Sequence, residues 1–294
     1  MPELPEVETV KRGLQKLLPG RVVKLIDFDW PKGFPNAKSD VDEFLIGAKI
    51  LEVKRRAKVL LIELSTKYSL VIHLKMTGQL VFVGDANRWG AGHPNDSLVG
   101  KLPDKSTRVI FDFNDGSKLF FNDQRKFGWV RLIPTAEVPN IDFFKKVGPE
   151  PLSDDFTAKD FVARVRRRAN TTIKAALLDQ TVIAGIGNIY ADEALFAVKI
   201  HPALRVRDVS DLKLKQLYKT VRNVLQLSID KGGSSDKNYV NAEGKKGSYL
   251  SFAQVFRREG KPCPHCGHAI IKIRVAGRGT HICPHEQRLP KGYA

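Results

Sequence analysis

Acidic residues are outnumbered, cysteine and methionine are rare, and long apolar runs are missing from this 294-residue chain. Each shortage excludes something. No run approaches the ~18 consecutive apolar residues of a membrane-spanning helix, so a transmembrane protein and a membrane partner are not expected. The opening Met1-Pro2-Glu3-Leu4-Pro5-Glu6 lacks the basic and apolar stretches of a secretory signal, and a cytoplasmic location is expected. Only three cysteines are present, at positions 263, 266 and 283. They cannot build a disulfide framework, and their clustering points to a metal. What the chain has in excess is positive charge: 49 Lys and Arg against 32 Asp and Glu, a net +17. A polyanionic partner, nucleic acid, explains that excess better than solubility alone. The 42% hydrophobic fraction is that of a folded protein, and the length suggests two or three domains.

Alternating or apolar runs at 22–28, 50–53, 59–64, 70–74, 80–83, 109–113, 119–122 and 129–133 predict strands after a short opening helix. Many short strands parted by turns such as Asn114-Asp115-Gly116 predict a β-sandwich or barrel. The polar, Gly-rich stretch 84–105 is expected to be a long surface loop or a hairpin insertion. Gly148-Pro149-Glu150-Pro151 marks a boundary, and helical patterns follow it at 173–178, 189–198 and 210–231. Thr157 with Asp160 resembles a capping box ahead of Phe161, Val162 and Val165. The polar stretch 233–261 reads as a mobile loop. A β-hairpin around 270–275 with a Gly277-Arg278-Gly279 turn ends the chain.

Four patterns carry chemistry. Removal of Met1 would leave Pro2 with a free secondary amine, and an α-amino group titrates near ~8, low enough to act as a nucleophile at neutral pH. The same residues also read as an ordinary helix start, with Pro5 in the first turn and Val7, Val10, Leu14 and Leu17 as its apolar face. Cys263-x2-Cys266-x16-Cys283 fits a zinc ribbon or finger, with position 286 a Glu where a fourth cysteine belongs; Glu286, His285 or His281 are the candidate fourth ligands. Gly185-Ile186-Gly187-Asn188 opens a helix and reads either as a phosphate site or as a tight helix–helix turn. The basic runs 164–168 and 257–258 read as solvated faces or, at Arg168, as a DNA contact.

Together these residues resemble a known family, the bacterial formamidopyrimidine-DNA glycosylases and their endonuclease VIII relatives. The resemblance runs through Pro2-Glu3-Leu4-Pro5-Glu6-Val7-Glu8-Thr9, Arg55-Arg56-Ala57-Lys58, His73-Leu74-Lys75-Met76-Thr77-Gly78 and Asn122-Asp123-Gln124-Arg125-Lys126-Phe127-Gly128. It continues through Leu177-Leu178-Asp179-Gln180, Asn188-Ile189-Tyr190-Ala191-Asp192-Glu193 and Ala276-Gly277-Arg278-Gly279-Thr280. Leu4 and the Arg125-x-Phe127 pair resemble the formamidopyrimidine branch. The resemblance implies an α+β multidomain protein: an N-terminal β-sandwich (1–150), a helix-two-turns-helix domain (151–250) and a C-terminal zinc-finger-type β-hairpin (251–294), with DNA crossing between the halves. It implies a monomer that excises oxidised purines from damaged double-stranded DNA in base excision repair, by a Pro2 Schiff base and β,δ-elimination.

By the same resemblance Glu3 assists at the sugar with Glu6 in support, and Lys58 and Arg278 contact phosphates and promote the two eliminations. His73 and Asn188 lie on the DNA backbone path. Met76, Arg125 and Phe127 fill the gap left by the extruded base. Arg125 faces the orphaned base, and a guanidinium, which only donates, suits the O2 and N3 acceptors of cytosine. The loop 234–249, ending at Tyr249, corresponds to the segment that closes over the lesion. One structural zinc is implied, on Cys263, Cys266, Cys283 and Glu286. The chain departs from the family at Glu286, in the longer stretch 84–105, and at Ser106, where a DNA-contacting histidine is common. Two other readings stand beside this one: a non-catalytic damage-binding protein and an endonuclease VIII-like enzyme acting on oxidised pyrimidines.

Overall fold

The computed structural model describes residues 1–85, 87–93, 95–234 and 249–293. They form two compact units, Met1–Lys145 with the stretch from Lys231, and Lys146–Asp230 with the stretch from Tyr249 onward. No helix among the described residues is long and apolar enough to cross a membrane.

The first unit begins with α1 (Leu4–Leu17), where Pro5 presets the first turn and Glu6 accepts the Glu3 N–H at 2.8 Å, one arm of a capping box. It continues through β1 (Val23–Phe28), α2 (Lys38–Asp40) with a π-helical turn at Val41–Leu45, β2 (Ile50–Arg56), β3 (Val59–Leu64), β4 (Tyr68–His73) and β5 (Gly78–Val83). Then come β6 (Arg88–Gly92), β7 (Thr107–Phe113), β8 (Lys118–Asp123), β9 (Trp129–Pro134) and α3 (Asp142–Lys146). One antiparallel sheet runs β1-β7-β8-β5-β6 and the other β2-β3-β4-β9. Their facing sides share one core, in which Leu60, Ile62 and Ile72 meet Leu80, Phe82, Phe111 and Phe121. Val7, Val10 and Leu14 of α1 enter the same core, so the expected β-sandwich carries a helix in its apolar layer.

Within the stretch 84–105, the hairpin expectation holds at residues 88–92. Its strand β6 pairs with β5, and Trp89, only 3% exposed, lies against α1. The ring sits where a Cβ on Gly13 would be, 2.0 Å from the nearest ring carbon, so glycine is required there. Gly90, Ala91 and Gly92 have little or no side chain to show a strand pattern, which is why the sequence leaves loop and hairpin both open.

The second unit holds α4 (Ala158–Arg166), α5 (Ile173–Leu178), α6 (Asn188–Ala197), α7 (Asp211–Asp230), α8 (Tyr249–Phe252) and the hairpin β10 (Ile271–Val275) with β11 (Arg278–Ile282). The expected capping box starts α4: Thr157 Oγ1 accepts the Asp160 N–H and Asp160 Oδ2 accepts the Thr157 N–H. Gly148 N–H donates to Gln180 O and Ala184 N–H to Pro149 O, which fastens the boundary segment to the helices. The helical segment and the hairpin fall within this one unit. The hairpin turn is Ala276-Gly277, both left-handed (φ 51° and 71°), so Arg278 pairs with Val275 as the first residue of β11 instead of occupying the turn.

Candidate active site and nucleic-acid interface

Pro2, Glu3 and Glu6 are all buried around the start of α1. The Glu6 carboxylate is divided: Oε2 accepts Glu3 N–H, and Oε1 accepts Ser234 N–H at 2.8 Å. It therefore fixes both the residue beside Pro2 and the beginning of the stretch 234–249. Lys58 lies in the β2–β3 turn after Ala57, which is left-handed (φ 55°). Arg55 holds that turn by donating to Ala57 O at 2.9 Å, and the same guanidinium pairs with Glu8 of α1 at 2.9 Å. Burial raises the Glu8 carboxyl, but hydrogen bonds and charge from Arg55, joined by Arg12, hold it below its ordinary value. Helix and turn are thus locked in register, with Pro2, Glu3 and Glu6 on one and Lys58 on the other. Glu8 and Arg55 belong to quoted motifs, but nothing in their spacing shows that they bind each other.

His73 ends β4 beside this turn, opposite Val59. Burial first, then the charges of Lys75 and Lys58, push its imidazole down to about 3. The Lys75 N–H donates to Nδ1 at 3.0 Å, so the neutral ring carries its proton on Nε2.

Two loops follow. Met76 is half-buried in the β4–β5 connection, while Arg125 and Phe127 stand out from the β8–β9 connection, Phe127 being 51% exposed. The Arg125 guanidinium lies over the Phe127 ring, 4.7 Å from its centroid. Ser106, by contrast, is buried and internally satisfied, bonded to Asp104 at 2.7 Å and to the Ser97 hydroxyl at 3.0 Å.

On the second unit, Asn188 opens α6. The turns before it are tied by Gln180, which accepts Gly185 N–H and donates to Ile186 O, so the glycines serve a tight helix–helix turn. Asn188 Nδ2 donates to Gly279 O at 2.9 Å and so reaches the hairpin next to the exposed Arg278. Beneath Gly279 lies a pair that the sequence reading passed over, Lys174 and Asp192, both without solvent exposure. Lys174 Nζ donates to Asp192 Oδ1 and to Thr280 Oγ1, each at 2.6 Å, while Asp192 Oδ2 accepts His281 N–H at 2.9 Å. The next residue, Glu193, accepts the N–H groups of Gln254, Val255 and Phe256. The signal was available: two adjacent acids interrupt the apolar run of α6.

Arg168 is exposed and paired with Asp179 at 2.7 Å, whereas its neighbour Arg166 is spent on Asp211 and the carbonyls of Val206 and Val209. Tyr249 differs from expectation. It is buried in the helical core against Tyr190, with ring centroids 5.4 Å apart, instead of standing exposed. Residues 235–248 of the expected lesion-covering loop lie outside the described residues.

The donor atoms of Cys263, Cys266 and Cys283 lie within 4.8 Å of one another. Three clustered sulfurs, two of them on buried residues, suit a tetrahedral zinc. Glu286 is not among them, because its carboxylate pairs with Lys199 at 2.5 Å. His281 is also turned elsewhere, toward Asp192 and the Phe256 ring. His285 is the remaining candidate: with the stacked ring of His268, it offers a nitrogen within 4.8 Å of Cys266.

Three family models match in order: the formamidopyrimidine-DNA glycosylase N-terminal domain at residues 1–130, the formamidopyrimidine-DNA glycosylase H2TH domain at 147–239, and the zinc finger found in FPG and IleRS at 260–285. A formamidopyrimidine-DNA glycosylase of Pelotomaculum thermopropionicum is 40% identical over 290 residues, covering 98% of this chain and all of that one. One of Herpetosiphon aurantiacus is 42% identical over 286 residues, covering 97% and 98%. Among solved structures, a Lactococcus lactis FPG mutant in complex with Fapy-dG containing DNA matches with TM-score 0.86 and 35% identity, covering 98% of this chain and 100% of that one. The Lactococcus lactis Fpg complex with abasic-site DNA matches with TM-score 0.86, 34% identity and the same coverage. With three models in sequence and relatives matched end to end, the chain belongs to the formamidopyrimidine-DNA glycosylase family of DNA-repair enzymes.

Proposed function

We propose that the chain is a bifunctional glycosylase and abasic-site lyase that removes oxidised purines, 8-oxoguanine and formamidopyrimidines, from duplex DNA as a monomer in the nucleoid. The observation that carries this reading is the locked register of α1 and the β2–β3 turn, which holds Pro2, Glu3 and Lys58 on one rigid element pair. Once Met1 is removed, the Pro2 nitrogen attacks C1′ of the damaged nucleotide and the base leaves. The C1′–O4′ bond then breaks as O4′ takes a proton, opening the sugar to an iminium that acidifies C2′–H; loss of that proton expels the 3′ phosphate, and a second elimination expels the 5′ phosphate. Glu3 moves the proton at the sugar, with Glu6 fixing its backbone. Lys58 serves the phosphate and the first elimination, and Arg278 the phosphate and the second.

His73, neutral with its proton on Nε2, acts as a donor to the DNA backbone, as do Asn188 and Arg168. Met76 and Phe127 fill the vacated stack, and Arg125 reads the orphaned base. Cys263, Cys266, Cys283 and His285 would hold one zinc, which would cross-link the base of the hairpin.

The test is borohydride trapping on a duplex with 8-oxoguanine opposite cytosine. Wild type should give a covalent adduct mapped to residue 2, Pro2→Gly a much reduced yield, and Glu3→Gln a slowed base release. Tight binding with neither adduct nor strand cleavage would leave a damage binder without catalysis. A Lactococcus lactis FPG has been solved with oxidised-pyrimidine DNA, so pyrimidine lesions belong in the same panel; preference for them would favour the endonuclease VIII-like reading.

A further inference from the structure

The loops that carry Met76 and Arg125–Phe127 are separate crossovers between the two sheets, β4 to β5 and β8 to β9, yet one buried carboxylate serves both. Asp123, at the end of β8, has no solvent exposure. Its Oδ2 accepts the N–H groups of Phe127 at 2.8 Å and Gly128 at 2.7 Å. Its Oδ1 accepts Arg125 N–H at 3.2 Å and the hydroxyl of Thr77, the residue after Met76. The Thr77 oxygen in turn accepts Arg125 N–H at 3.0 Å. The Arg125 amide is therefore shared between Thr77 and Asp123, and a single hydroxyl closes the link between the two loops.

The backbone needs such a link. Each loop contains a left-handed lysine, Lys75 (φ 49°) and Lys126 (φ 56°), a conformation that a non-glycine residue holds only under restraint. Gly128 is pressed so close that a Cβ would lie 2.7 Å from the Phe121 ring. Asp123 is itself anchored: its N–H donates to Ser106 O at 2.7 Å, and its carbonyl accepts Arg108 Nε at 3.0 Å.

We propose that Thr77 and Asp123 form a positioning clamp that sets how strongly the enzyme discriminates the base opposite the lesion. The clamp presents Met76, Arg125 and Phe127 to the duplex as one preformed unit instead of two independent loops. Reading a base edge with a guanidinium requires placement within about 0.5 Å, and a loop that drifts loses selectivity before it loses binding. The inference rests on the reading that Arg125 faces the orphaned base.

The experiment measures kcat/KM on 8-oxoguanine opposite cytosine and opposite adenine, for wild type, Thr77→Val, Thr77→Ser, Arg125→Ala and the double variant Thr77→Val/Arg125→Ala. Thr77→Val keeps the shape and deletes the hydroxyl, and it should lower the cytosine-over-adenine ratio about five- to tenfold, the worth of one buried hydrogen bond. Thr77→Ser should restore the ratio. In the Arg125→Ala background, Thr77→Val should add nothing, because the group that it positions is gone. If Thr77→Val lowers both rates alike and leaves the ratio unchanged while Arg125→Ala relaxes it, the clamp is structural only and the proposal fails. An unchanged ratio in Arg125→Ala would instead overturn the reading of Arg125, and the clamp with it. Should Thr77→Val not fold, Thr77→Ala and Asp123→Asn carry the same comparison, with the same ratio deciding.

Discussion

Arg125 and Arg278 are both exposed arginines near β-connections, and each stands over a fully buried aspartate, yet the two supports differ in kind. Under Arg125, Asp123 accepts from neutral donors, three backbone N–H groups and one hydroxyl. Under Arg278, Asp192 faces the ammonium of Lys174, which also holds Thr280 of the hairpin. A carboxylate with several neutral donors weakens in steps as donors are removed. A buried ion pair does not, because removing one partner leaves an uncompensated charge in the interior. The N-terminal support can therefore be tuned, whereas the one under the hairpin holds or fails as a whole.

The largest expected effect follows from that contrast. Lys174→Met strands the Asp192 carboxylate and should cost about 3–5 kcal/mol, read from denaturant unfolding of the whole chain. The double variant Lys174→Met/Asp192→Leu buries no charge and should recover much of the loss. A single variant no worse than the double would remove the distinction between the two supports.

The next effect probes the neutrality of the N-terminal side. The His73 imidazole sits at about 3 in the folded protein against 6.5 ordinarily, so below pH 6.5 the unfolded chain takes up a proton that the folded one refuses. Stability contributed by His73 is complete above pH 6.5, falls by at most about 1.4 kcal/mol per pH unit as pH drops toward 3, and levels off below that. Urea unfolding between pH 7 and 4 should show this slope in wild type and its reduction in His73→Gln. Equal slopes in both proteins would mean that the ring is not kept neutral by its surroundings.

Elements whose cause is local were readable before the fold was known. The Thr157–Asp160 box, the apolar face of α1 and the period-two strands all show as patterns within a short stretch of sequence. What stayed hidden depends on partners far apart in the chain. Trp89 lies in a Gly-rich stretch with no strand rhythm, and its place is set by the absence of a side chain on Gly13, 76 residues earlier by subtraction of the two positions. Lys174 is bound by Asp192 and Thr280, which lie 18 and 106 residues away. The site residues were named through motif resemblance, but resemblance could not tell Tyr249 packed in a core from Tyr249 exposed to a ligand, nor show that Glu286 faces Lys199.

The smallest effect on stability belongs to the base of the hairpin, where the ion-pair support should make the fold tolerant of changes at the metal. Glu286 is engaged by Lys199, while His285 offers a nitrogen within 4.8 Å of Cys266. Metal analysis of purified protein should therefore find about one zinc per chain in wild type and in Glu286→Gln, and a clear loss in His285→Ala. Because Lys174, Asp192 and Asn188 hold β11 without using a metal donor, His285→Ala should unfold at nearly the wild-type denaturant midpoint even with its zinc depleted. Zinc lost from Glu286→Gln but retained in His285→Ala would return the carboxylate to the donor set. A large drop in midpoint on losing the metal would show instead that the thiolates, and not the buried ion pair, hold the hairpin that carries Arg278.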